Sequence, residues 1–290
     1  MSFGQPIENL KTGSSTTTNP DVTTIRLPVD KDGGIVFYEQ DGERLALDVY
    51  RPDNDQPYPG VLMLHGGAWA WGSKLHWRRH AIRLAEKGYV VVAANYRLAP
   101  KHKFPAQLVD IRNALLWMKS NSETYHIDLE RIATFGYSAG GNLALLAATN
   151  DVELDDCPST NEIPVIRCVI AGGAPSHFGF IDEHSTTLAY WLGGTRRERP
   201  EQYAMASPME NLDETDDVAF FLYHAENDFV VPPSLTSDFC DAARKLGCVT
   251  QFVELPRAGH FFGFLNTDIV DEVDEFLKSN FVRDKKANLK

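Results

Sequence analysis

The chain has 290 residues, with 40 Asp and Glu against 28 Lys and Arg and a formal net charge of −12. That balance excludes nucleic acid and anionic membrane surfaces as partners, because both are bound through an excess of Lys and Arg. No apolar run approaches the ~18 residues of a membrane span, and the length suits one large α/β domain.

Residues 1–22, with Thr12-Gly-Ser-Ser-Thr-Thr-Thr-Asn-Pro, form a polar N-terminal arm with no packable face. Residues 23–290 read as a single domain. The opening Met1-Ser-Phe-Gly-Gln-Pro has neither the basic start nor the apolar core of a signal peptide, so a cytoplasmic location is expected unless a leader preceded this sequence. Ile35-Val-Phe-Tyr and Leu45-Ala-Leu-Asp-Val-Tyr alternate around Asp41-Gly42, the signature of a hairpin at a sheet edge.

From there the periodicity predicts strands at 61–64, 89–94, 132–135, 166–170, 219–223 and 249–255. Helices are predicted at 76–87, 106–122, 140–149, 233–246 and 269–276. Near-continuous apolar strands alternating with helices imply an α/β fold, a mostly parallel sheet covered on both faces. Residues 175–206 read as a short cap insertion. The four cysteines, Cys157, Cys168, Cys240 and Cys248, show no C-x-x-C spacing, and a core of this size does not require disulfides.

Four loops carry chemistry. Val61-Leu-Met-Leu ends in His65-Gly-Gly-Ala-Trp, where glycines leave backbone N–H groups uncrowded. Gly67 and Ala68 are assigned as oxyanion donors, and His65 as the anchor of the loop. Gly136-Tyr-Ser-Ala-Gly stands between a strand and a helix, the setting of a nucleophile elbow, which aims Ser138 and the Ala139 N–H at one point. Third, the strand Ala219-Phe-Phe-Leu-Tyr runs into a loop holding Glu226 and Asp228, with Asp238 beyond. Asp228 is favoured as the acid because Phe229-Val-Val-Pro would desolvate it, and Glu226 is the alternative. Of nine histidines, only His260 follows the acid on a loop after the last strand, with Gly259 before it. The order Ser138, Asp228, His260 is that of the α/β-hydrolase triad.

On these residues the chain resembles the α/β-hydrolases of the hormone-sensitive-lipase and acetyl-esterase type. It is most similar to the small carbohydrate-esterase-like branch with acetyl xylan and feruloyl esterases. Further matching segments are Asn95-Tyr-Arg-Leu-Ala-Pro-Lys-His-Lys-Phe-Pro-Ala, Leu192-Gly-Gly-Thr and Ala206-Ser-Pro. Ala68 departs from the H-G-G-G form of the oxyanion loop. By analogy with this fold, the last strand and helix are where a homodimer would form.

The expected activity is that of a serine carboxylesterase, with Ser138 attacking, His260 moving the proton and Asp228 orienting it. That chemistry needs neither metal nor organic cofactor. Trp69, Tyr137 and Trp191 are assigned to substrate binding, in an aromatic roof with Trp71, His177, Phe178, Phe180 and Tyr190. The short insertion favours small soluble esters, among them acetylated or feruloylated carbohydrates by resemblance. The alternatives are an arylformamidase, a small serine peptidase and a non-catalytic receptor on the same scaffold.

Overall fold

The computed structural model describes residues 26–40, 42–213 and 218–282. The arm assigned to 1–22, and Asp41 of the hairpin turn, lie outside the described residues. Eight strands form one sheet: β1 (Val29–Gln40), β2 (Glu43–Pro52), β3 (Tyr58–Leu64), β4 (Val90–Ala94), β5 (Ile127–Tyr137), β6 (Ile166–Gly172), β7 (Ala219–Ala225) and β8 (Thr250–Leu255). Their spatial order is β1-β2-β4-β3-β5-β6-β7-β8. β1, β2 and β4 pair antiparallel, and every pairing from β4 to β8 is parallel. The hairpin register pairs Gln40 with Glu43, leaving a two-residue turn in which Gly42 takes φ +75.

Ten helices are described: α1 (Arg78–Ala85), α2 (Ala106–Ser120), α3 (Ser122–Tyr125), α4 (Ala139–Thr149), α5 (Ala189–Leu192), α6 (Pro200–Met205), α7 (Pro208–Asn211), α8 (Pro233–Lys245), α9 (His260–Leu265) and α10 (Ile269–Phe281). Side chains alternate across the central strands, so each strand feeds two cores. Leu62, Leu64, Val90 and Val92 join the face covered by α2, α4 and α8, with Leu108, Leu143 and Phe239. Val61, Met63, Val91 and Ala93 join the opposite face under α1 and α10, with Leu84 and Val273. α4 is buried almost all round, as its apolar sequence requires.

Several elements differ in their bounds from the sequence reading, β5 starting at Ile127 rather than 132 and α1 spanning Arg78–Ala85 rather than 76–87. The C-terminal helix runs to Phe281 rather than 276, because Phe276 and Leu277 continue the buried stripe of Ile269, Val270 and Val273. His260 lies not on a loop but at the first position of the short helix α9, which the glycines at 259 and 263 conceal in the sequence.

The site end of the sheet depends on the approach of α4 to β3 and β5. A Cβ on Gly136 would sit 2.0 Å from the Gly140 carbonyl oxygen, and one on Gly140 would sit 2.0 Å from that of Leu64. Gly140→Ala should therefore cost about 3 kcal/mol or more, since only backbone can yield. Gly247→Ala meets open space at φ +85 and should cost only about 1 kcal/mol of backbone strain. Urea denaturation of both variants checks this; equal losses would contradict it.

Candidate active site

Ser138 stands between β5 and α4 with φ 56 and ψ −124, a strained conformation for a residue with a side chain. Its N–H donates to the Gly172 carbonyl at 2.7 Å, which pins the turn to the neighbouring strand. The first N–H groups of α4, beginning with Ala139, have no intrahelical acceptor and lie beside Ser138.

His260 Nε2 is 2.9 Å from Ser138 Oγ, and His260 Nδ1 is 2.6 Å from Asp228 Oδ2. The three residues read from the sequence are thus brought together in one hydrogen-bonded line. The His260 backbone is fixed as well, its carbonyl accepting the Tyr137 hydroxyl at 2.7 Å. Glu226 is turned away, accepting the Arg257 N–H at 2.8 Å, and Asp238 lies 3.8 Å from His177.

Asp228 is 6 % exposed, and of the Phe229-Val-Val-Pro segment read as desolvating it only Val231 is buried. Phe229 is 95 % and Val230 62 % exposed, so neither side chain shields the carboxylate. What surrounds it is polar. The N–H groups of Val230 and Val231 each donate to Oδ1 at 2.9 Å, and His224 Nε2 lies 3.1 Å from Oδ2. Burial alone would raise the carboxyl's pKa; the donors, His224 foremost, outweigh it and hold the group well below the usual carboxylate range. Sequence reasoning passed over His224 because it lies in an apolar strand; the H-x-x-x-D spacing at the strand end was the available signal.

The glycine-rich loop is shaped by φ +120 at Gly67, +48 at Ala68 and +57 at Trp69. A Cβ on Gly67 would lie 2.0 Å from the Trp71 carbonyl oxygen. Such a φ at Ala68 accounts for glycine in the H-G-G-G form of this loop. His65 anchors it: the ring is buried, stacks on Tyr96 at 4.1 Å, and has Nδ1 2.9 Å from the Gly66 carbonyl. Tyr96 donates its hydroxyl to the His65 carbonyl at 2.7 Å, and Arg97 binds buried Asp110 through its backbone N–H at 2.7 Å and its side chain at 2.8 Å. The Asn95–Ala106 segment thus supports the loop from below.

A cavity of about 360 Å³ opens at Ser138. Gly67, Ala68 and Tyr137 line it, together with Trp71, His76, Val230, His260, Phe261 and Phe264. The structure does not place Trp69 and Trp191 there. Their rings stack on each other at 3.6 Å, 4 % and 0 % exposed, and Trp191 Nε1 donates to Gln107 Oε1 at 3.1 Å. Phe104 and Phe178 meet Trp191 edge-on. These aromatic rings fasten residues 175–206 to the body instead of roofing the site; Tyr190 reaches only the Ala68 carbonyl, at 2.8 Å. Val230, Phe261 and Phe264, missed in the sequence, supply the apolar wall. Among the described residues no cluster of His, Cys, Asp or Glu gathers as metal ligands, and no helix is long and apolar enough to cross a membrane.

The model of the BD-FAE family matches residues 47–242. The chain belongs to the BD-FAE family. The matched BD-FAE span takes in the His65-Gly-Gly loop, Ser138 and Asp228, and stops before His260. Esterase LipC of Mycobacterium tuberculosis is 29 % identical over 247 residues, covering 80 % of this chain and 60 % of LipC. A probable carboxylic ester hydrolase, LipM, from the same organism is 30 % identical, covering 81 % and 57 %. The chain therefore spans about three-fifths of the length of these curated relatives. Among solved structures, a truncated carbohydrate esterase from gut microbiota superposes with a TM-score of 0.76 over 90 % of this chain and 99 % of that one, at 19 % identity. That likeness is one of fold, and the fold is the α/β-hydrolase fold.

Burial lowers the pKa of His65 from 6.5 to about 4. As the pH falls, the unfolded chain takes up this proton before the folded protein does. The contribution of His65 to stability is therefore complete above about pH 6.5 and is lost between there and about pH 4. The urea midpoint should fall across that range, and should fall less steeply in His65→Asn, which cannot titrate. His80, also lowered to about 4 by burial, carries much of the remaining slope. A slope unchanged by His65→Asn would contradict this account.

Proposed function

We propose that this BD-FAE protein is a serine carboxylesterase acting on small esters with an apolar acyl or aryl part. The observation that carries the reading is the unbroken line from Ser138 Oγ through His260 to Asp228, at 2.9 and 2.6 Å, at the mouth of a cavity. The named activities of LipC and LipM support it.

In this reading His260 Nε2 accepts the Ser138 proton as Oγ attacks the ester carbonyl. Asp228 holds the His260 Nδ1 proton and stabilises the imidazolium that forms, remaining ionised itself. The N–H groups of Gly67, Ala68 and Ala139 receive the developing oxyanion, each such donor being worth about 3 kcal/mol in the transition state. His260 then protonates the leaving alcohol, and a water activated by the same imidazole releases the acid. Every step is proton transfer and acyl transfer by residues already in contact.

Substrate size follows from the cavity. At about 360 Å³ it stands at the small end of ligand pockets. Its wall of Trp71, Tyr137, Val230, Phe261 and Phe264 offers an acyl or aryl group apolar surface with few polar contacts to satisfy. A long acyl chain would run out over the exposed rim, where burial returns less free energy.

Hydrolysis of p-nitrophenyl acetate, butyrate and octanoate tests the reading. Turnover should be highest for the short chains, decline at octanoate, and fall by at least ~10³-fold in Ser138→Ala. Turnover that survives Ser138→Ala would contradict the mechanism. Failure of a folded wild type on all three esters, with hydrolysis of N-formylkynurenine, would assign the site to formamides instead.

A further inference from the structure

His224 lies at the end of β7 with no exposed surface, and the mechanism above gives it no part. A fully buried imidazole is held there by three partners. Its Nε2 lies 3.1 Å from Asp228 Oδ2 and 3.0 Å from the Val231 carbonyl oxygen, and its Nδ1 lies 2.7 Å from Thr236 Oγ1 on α8. The two groups facing Nε2 are both acceptors with no proton of their own to give. Nε2 must therefore carry the hydrogen, because a lone pair there would face a carboxylate and a carbonyl. Thr236 satisfies the other nitrogen and holds that proton assignment.

Asp228 Oδ2 consequently faces two imidazoles, the His260 Nδ1 donor at 2.6 Å and the His224 Nε2–H that it shares with the Val231 carbonyl at 3.1 and 3.0 Å, while Oδ1 takes two backbone donors. A carboxylate with four donors has its lone-pair directions filled and cannot rotate. Other ionisable groups nearby are engaged elsewhere: Tyr137 on the His260 carbonyl, Glu226 on the Arg257 N–H, and Asp238 beside His177.

We propose that His224 is a positioning residue for the esterase reaction, its Nε2–H locking the orientation and limiting the basicity of the Asp228 oxygen that faces His260. The proposal rests on the triad reading above. It implies that His224 tunes how tightly Asp228 holds the His260 proton, in addition to packing the strand end.

The test compares His224→Phe, His224→Gln and Thr236→Val with the wild type. His224→Phe keeps a ring of similar size without donors. It should lower kcat roughly 10- to 100-fold, below the ~10⁴-fold that loss of the orienting acid itself costs, with KM little changed. The acid limb of its pH–kcat profile should move to higher pH, because Asp228 with one donor fewer binds the His260 proton more tightly. His224→Gln can place an amide N–H where Nε2 was and should restore most of kcat and the wild-type limb.

A second readout needs no substrate. The low-field proton NMR resonance of His260 Nδ1–H in the ligand-free protein should shift in His224→Phe and return in His224→Gln. It reports on His224 even if the wild type hydrolyses no ester, so failure of the triad reading and failure of this proposal are distinguishable. A folded His224→Phe with wild-type kcat, acid limb and resonance would overturn the proposal. So would a loss of rate in all variants that tracks thermal stability with no change of limb or resonance. If His224→Phe does not fold, Thr236→Val, which leaves the ring in place, should show the same changes in smaller measure; its identity with the wild type would overturn the proposal.

Discussion

The contact on which the rest of the structure depends is the approach of the α4 N-terminus to the ends of β3 and β5. Backbone there packs against backbone, with 2.0 Å between an imagined Gly140 Cβ and the Leu64 oxygen. That closeness forces Ser138 into φ 56, ψ −124 and leaves its side chain directed at the cavity rather than the core. The strain is held by hydrogen bonds to neighbouring backbone: the Gly172 carbonyl on β6 takes the Ser138 N–H, and the Asn142 amide binds the Pro175 and Ala206 carbonyls. In the proposed mechanism the same helix start sets the nucleophile and supplies an oxyanion donor, and its Asn142 ties down both ends of the insertion.

Around this point the site is built by satisfying buried polar groups. The glycine-rich loop stands on His65, which stands on Tyr96; Arg97, next in the chain, neutralises Asp110, whose carboxyl burial has pushed up to about 6. On the other side Asp228 is held by two backbone N–H groups and two imidazoles. Leaving any of these groups without its partner would cost on the order of 1–3 kcal/mol or more in so dry an environment. Precision at Ser138 is therefore inherited from polar contacts several residues away, while the cavity beside it is walled by apolar side chains.

Much of this was legible in the sequence because the relevant signals are local. Gly136 and Gly140 announce a close turn, His65-Gly-Gly announces exposed backbone, and the acid and histidine each follow an apolar strand. Alternation of strand and helix placed all three at one sheet edge. Tyr137 and Trp71 do line the cavity, but other inferences about which way a large side chain turns failed. Trp69 and Trp191 were read as facing substrate, yet they stack on each other, since an aromatic ring serves core and cavity equally well. Phe229-Val-Val-Pro was read as desolvating Asp228, yet only Val231 is buried, Phe229 stands exposed and Val230 lines the open cavity. His224 was hidden for the opposite reason: a polar residue in an apolar strand is marked in the sequence only by its spacing to a buried partner four residues on.

The central claim is that the Ser138 hydroxyl is the activated nucleophile. Reaction with a fluorophosphonate ester, read by intact mass and peptide mapping, tests it without regard to the natural substrate. The account predicts one adduct per chain, on Ser138, formed far more slowly in His260→Ala. No adduct on the folded protein, or one on another residue, would contradict it.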